Sequence, residues 1–233
     1  MSRVLPILFN GDMVRAILDG RKTVTRRICK DANECTVPDM SFYDADKRTY
    51  AVHNYSKKEH TDKLSIAERT CPICPGDTLW VQETWKILDV LNELSMKFEY
   101  RADGKISEFI DFIAERMEKF RKFANKNGWQ SPYFMPKEAA RLFLRVKSVR
   151  VERLQECGKG WCLGIEKEGV VTPQDPILYS SDNAYHKALR EEFQKLWDST
   201  IKKSDLDLYG WDANPYVWVV EFERCERPEN IIL

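Results

Sequence analysis

The run Gly20-Arg21-Lys22-Thr23-Val24-Thr25-Arg26-Arg27-Ile28 sets two hydroxyls among four cations. A lysine withdrawn from water loses basicity and becomes suited to general-base work near neutrality. A threonine hydroxyl beside such a base can attack an acyl carbon, or orient a water for that attack. Arg27 carries a planar fork that fits a phosphate or a developing oxyanion. The β-branched residues predict a strand from Arg21 to Ile28 with one charged face. Ideal strand alternation sets Lys22 on the face opposite Thr23 and Thr25. A bulge or turn after Gly20 would be needed to bring Lys22 and Thr25 together. The plainer alternative is a solvated basic strand.

Other residues also have side chains suited to ligands. Glu83 lies in Trp80-Val81-Gln82-Glu83-Thr84-Trp85, between apolar neighbours. A carboxylate there either faces water at a strand edge, accepts from a base edge, or pairs with a strand arginine. Trp85 is either a stacking platform for a base or a core residue. Cys71-Pro72-Ile73-Cys74 has the spacing of a zinc knuckle, and Cys29 and Cys35 stand at the other end of the same stretch. Those four are candidate ligands of a structural zinc, with His53 and His60 as alternatives. The competing reading is a set of reduced thiols with no cofactor required, as a reducing cytosol favours. The sequence holds no glycine-rich phosphate loop, zinc-protease helix motif or serine nucleophile elbow.

Several elements must position these groups. Val4 to Phe9 reads as a buried strand, and Asn10 or Asp12 caps a short helix from Met13 to Asp19. Gly20 follows where a left-handed C-cap wants glycine. Residues 29–74 are polar and without sustained period, which predicts a loop-rich insertion ending in the turn Pro75-Gly76-Asp77. Strands are expected over Thr78–Trp85, Lys97–Ala102, Arg141–Leu154 and Tyr216–Phe222. Apolar residues at helical spacing from Lys105 to Lys126 predict a helical elaboration over about 104–128, closed by Asn127-Gly128. A further helix is expected from Asp182 to Asp198, with Leu189, Phe193 and Trp197 facing inward. Five or six strands far apart in sequence, with at least three helices, indicate an α+β fold over a doubly wound sheet.

The 233 residues suffice for one well-cored domain with elaborations, and 43% hydrophobic content argues against disorder. Lys+Arg and Asp+Glu each total 37, so no bulk charge draws the chain to long nucleic acid, although a local basic site is compatible with that balance. No apolar run approaches the roughly 18 residues of a membrane span. The short apolar N-terminus is no signal peptide, so a cytoplasmic location is expected.

Four segments together resemble the ASCH family, in particular its longer, phage-related members. They are Ile17-Leu18-Asp19-Gly20-Arg21-Lys22-Thr23-Val24-Thr25-Arg26-Arg27, then Pro75-Gly76-Asp77-Thr78-Leu79-Trp80-Val81-Gln82-Glu83-Thr84-Trp85. Met135-Pro136 with the strand from Arg141 and Val151-Glu152-Arg153-Leu154-Gln155 follows, and Asn214-Pro215-Tyr216-Val217-Trp218-Val219-Val220-Glu221-Phe222 completes the set. The resemblance implies a single PUA-like β-barrel domain over 1–233, with flanking helices and a cleft for RNA or a modified nucleoside. Some small bacterial members hydrolyse the amide of N4-acetylcytidine with a lysine, a threonine and a glutamate. Their Lys-Thr-x-Thr-x-Arg pattern matches Lys22, Thr23, Thr25 and Arg27, and the glutamate aligns best with Glu168, with Glu83 the other candidate for the functional carboxylate. Arg21, Glu83, Trp85 and Arg141 are then ligand-binding candidates, Arg141 by the resemblance alone. Ile28 stands where those hydrolases carry an acid, and they lack the long insertion. The alternatives are a silent RNA-binding module, a metal-dependent ribonuclease, or a phage accessory protein that binds a host protein through its insertion.

Overall fold

The computed structural model describes residues 2–32, 36–55, 64–124, 128–158, 163–173 and 175–228. In chain order these begin with β1 (Val4–Leu8), α1 (Gly11–Leu18), β2 (Val24–Ile28), β3 (Thr36–Asp44), β4 (Thr49–Tyr55), β5 (Leu64–Thr70), β6 (Thr78–Gln82) and β7 (Trp85–Val90). They continue with β8 (Ser95–Tyr100), β9 (Ile110–Asp111), α2 (Ala114–Ala124), β10 (Phe143–Arg153), α3 (Leu163–Glu166), α4 (Asp182–Thr200), α5 (Leu206–Tyr209) and β11 (Tyr216–Cys225). The class is α+β; β1 pairs with β6 in parallel, and β6 with β10, β2 with β11, β3 with β4, β4 with β5, β7 with β8 and β8 with β9 are antiparallel. No described helix is long and apolar enough to cross a membrane.

The chain divides into two compact units, one drawn from residues 1–20, 76–146 and 223–233, the other from 21–75 and 147–222. In the first, β1 pairs in parallel with β6, and β6 pairs with the start of β10, Phe143 opposite Trp80. β7, β8 and β9 form a second sheet. Helix α2 lays Met117, Phe120 and Phe123 into a core with Trp85, Met96, Phe98 and Phe112. Helix α1 is capped by Asn10, whose side chain accepts from the Met13 amide at 2.9 Å. Gly20 then takes φ +76°, the left-handed turn that sends the chain into the Lys22 segment.

In the second unit β2 pairs with β11, Thr25 opposite Val220 and Arg26 opposite Val219, and β10 borders β11 on its other side. Helix α4 starts at Ser181, which accepts from the Ala184 amide. Its Leu189, Phe193 and Trp197 pack with Val24, Leu154, Val217 and Val219. Burying such side chains contributes roughly 1.5–3 kcal/mol each.

Three sequence expectations are corrected. The insertion over 29–74 contains a three-stranded antiparallel sheet, β3-β4-β5, in place of a loop-rich excursion. Strand β4 buries Tyr50, Ala51 and Val52 in succession, so the two-residue alternation that advertises a strand is missing. Its entry turn is held by the Asp44 carboxylate, which accepts from the amides of Asp46 and Lys47 at 3.0 Å each. The helix expected from Lys105 starts only at Ala114: Ile110 pairs with Met96 as strand β9, and Ile106 bridges Glu99. Sheet pairing takes these apolar residues although their spacing also suits a helix. The strand expected over Thr78–Trp85 breaks at Glu83 and Thr84, and Trp85 opens β7 opposite Tyr100.

Candidate functional site

Lys22 lies outside β2. Its backbone forms an isolated antiparallel bridge with Glu168, just beyond α3, so strand alternation does not govern where its side chain points. Thr23 and Val24 anchor the same crossing by donating their amides to the Lys167 carbonyl, at 2.9 and 3.1 Å. Two segments 146 residues apart are thereby fixed side by side.

The Lys22 side chain is 1% exposed and curls inward. Nζ donates to the Glu168 Oε2 at 2.5 Å, to the Glu168 carbonyl at 3.0 Å and to the Val24 carbonyl at 2.8 Å. Three acceptors match the three protons of an ammonium. Burial pushes the Lys22 ammonium below its ordinary basicity; Glu168 works against that fall, while Arg27 and Arg26 add to it.

The other Glu168 oxygen belongs to Arg26. Its Nη1 donates to Glu168 Oε1 at 3.0 Å and to the Gly164 carbonyl at 3.1 Å, and its Nη2 reaches Glu152 Oε1 at 2.8 Å. Burial opposes the Arg26 charge, yet Glu168, Cys157 and Glu152 hold its guanidinium above its ordinary value. Arg27 donates through Nη1 to the Thr25 hydroxyl at 2.8 Å and to the Arg26 carbonyl at 2.9 Å. Burial lowers the Arg27 guanidinium, against the pull of Glu168. Thr25 itself is 1% exposed. Arg21 is exposed and donates to the Gly169 carbonyl at 2.9 Å, and Thr23 is exposed beside it.

The motif residues and Glu168 therefore come together in one unit, with Lys22 held to Glu168 and Thr25 held to Arg27. Sequence reasoning missed Arg26 and Glu152. Arg26 was visible as one cation of a charged strand, but nothing in its spacing announced that it would be buried between two carboxylates.

Glu83, Trp85 and Arg141 belong to the other unit. Arg141 grips Glu83 through Nε and Nη2, both at 2.8 Å, donates to Asp103 at 2.8 Å, and lies 4.2 Å from the Tyr100 ring centre. Burial opposes the Arg141 charge, but Glu83 and Asp103 raise its guanidinium above the ordinary value. Glu83 is thus the partner of an arginine, one of the roles its flanking residues allowed. Trp85 is fully buried against Phe98 and Phe123, and its Nε1 donates to the Ser131 carbonyl at 3.2 Å. It is a core residue, not a surface for stacking a base.

Of the four candidate zinc ligands, Cys35 lies outside the described residues. Cys29, Cys71 and Cys74 are buried in one cluster with Tyr50 and Trp218. Burial pushes the Cys29 thiol up to about 11, and it raises the Cys71 thiol, with Cys74 adding to the rise, to about 12. Among the described residues no three His, Cys, Asp or Glu side chains are arranged to hold a metal ion. Comparisons with protein-family models, curated proteins and solved structures gave no match.

Proposed function

We propose that this chain is an ASCH-type protein with a PUA-like barrel, which binds RNA or a modified nucleoside and hydrolyses the amide of N4-acetylcytidine. One observation carries the reading: buried Lys22 of the Lys-Thr-x-Thr-x-Arg motif is bound to Glu168, the glutamate that the family resemblance pairs with it. A long-range pair of this kind is not implied by either segment alone.

In this reading the neutral amine form of Lys22, which burial favours, takes the proton of the Thr25 hydroxyl as the oxygen adds to the acetyl carbon. Arg27 already donates to that hydroxyl, which leaves the oxygen its own proton to give. Glu168 keeps Lys22 oriented and stabilises the charge it gains. The lysine then delivers its proton to the departing N4 amino group, and water cleaves the acetyl-threonine ester. The sum is N4-acetylcytidine plus water to cytidine plus acetate.

A second reading rests on the saturation of Lys22. With all three of its donors engaged, the lysine can serve as a buried structural strut in a binding module without catalysis. Chromatography of N4-acetylcytidine incubated with wild type, Lys22→Ala, Thr25→Val and Glu168→Gln separates the two. The hydrolase reading expects cytidine from wild type and a drop of about a hundredfold or more in each variant. No cytidine from folded wild type overturns it and leaves the binding module.

A further inference from the structure

A row of charges leads away from Lys22. Glu168 offers one oxygen to Lys22 and the other to Arg26, and Arg26 turns its remaining donors to Glu152 Oε1. Glu152 Oε2 accepts from Arg150 Nε at 3.0 Å, and Arg150 Nη1 reaches Glu221 Oε1 at 3.0 Å. The Ser148 hydroxyl closes the row by donating to Glu221 Oε2 at 3.0 Å. Signs alternate throughout, from a lysine 1% exposed to an arginine 43% exposed.

Strand geometry makes the row feasible. Ser148, Arg150 and Glu152 are two residues apart on β10 and share one face. Glu221 comes from β11 and Arg26 from β2, the strand that pairs with it. Glu168 alone could turn toward Lys22 in more than one way. With Oε1 fixed by a guanidinium that is itself fixed by a second carboxylate and the Gly164 carbonyl, only Oε2 is left to face the lysine. We propose that Arg26 is a positioning residue, that Glu152 holds it in place, and that this row of alternating charges fixes the pose and charge state of the Lys22–Glu168 pair.

The proposal rests on the reading of Lys22 and Glu168 as the working pair. The charged groups facing them are Arg26 and Arg27 from β2 and Glu152 from β10, with Cys157 adjoining Arg26. Removing the Arg26 cation makes Lys22 easier to protonate, so its titration moves up. A lysine at position 26 restores the cation, but one ammonium cannot reproduce the planar bridge between two carboxylates.

The experiment follows the Lys22 side-chain amine by NMR in lysine-labelled protein across pH, alongside the pH–rate profile with N4-acetylcytidine. In Arg26→Met the Lys22 midpoint rises by about one pH unit. In Arg26→Lys it returns toward wild type, while turnover stays about tenfold or more below it. Should Arg26→Met fail to fold, Arg26→Met/Glu152→Gln removes opposite charges together and still shifts the midpoint upward, because Arg26 is the nearer of the two. A folded variant of either kind with an unmoved Lys22 midpoint overturns the proposal, as does full recovery of turnover in Arg26→Lys. Absence of turnover by wild type overturns the hydrolase reading instead, and the NMR titration then decides the role of Arg26 by itself.

Discussion

Among single residues, Lys22 most directly links folding to pH. Unfolded, its amine titrates near its ordinary 10.5; folded, burial moves it lower. Between the two values the unfolded chain holds a proton that the folded chain lacks, so stability rises with pH across that window. Below the folded value both states are protonated, and the full cost of burying the ammonium is felt. Lys22→Met removes that slope. Denaturant unfolding at a series of alkaline pH values should show wild type gaining stability relative to the variant as pH climbs toward 10.5. A constant difference would mean that Lys22 stays protonated throughout. At this scale the sequence was informative about chemistry and poor about burial. It singled out Lys22 and Thr25, and the resemblance supplied Glu168. It gave no sign that Arg26 would be less exposed than Arg27, because four neighbouring cations look alike until carboxylates from distant strands claim one of them.

Among elements, boundaries were legible where one force dominated. Asn10 and Ser181 each cap a helix through a side-chain oxygen, and the apolar stripe of α4 is buried in one core cluster. They were illegible where two forces competed, as in residues 105–113, whose helical spacing lost to sheet pairing with β8. The Gly20 turn shows how little a critical element needs. An added Cβ there would meet nothing within 4 Å, so the backbone angle alone demands glycine. Gly20→Ala should therefore cost about 1–2 kcal/mol through strain at φ +76°. Because Gly20 directly precedes Arg21 and Lys22 in the chain, NMR shifts should change at Lys22 as well as at residue 20. A variant as stable as wild type would show that the turn has an unstrained alternative.

For the whole molecule, the balance of 37 cations against 37 anions decides what kind of ligand recognition is available. A protein that tracks a long phosphate backbone frees many counterions, and its affinity falls steeply with salt. Here the cations of the candidate sites are already paired within their own units: Lys22 to Glu168, Arg26 to Glu168 and Glu152 in one, Arg141 to Glu83 and Asp103 in the other. Cations already paired with buried carboxylates are less available to phosphates. Under the proposed reading, recognition comes from the nucleoside, with one or two phosphates adding to it. Titration of a short acetylcytidine-bearing RNA across salt concentrations should give a slope of log affinity against log salt of magnitude about 1–2. Removing the acetyl group should weaken binding more than lengthening the RNA strengthens it. A slope of magnitude about 5 or more would instead reveal a basic track that engages the backbone, and would count against a site built around one modified base.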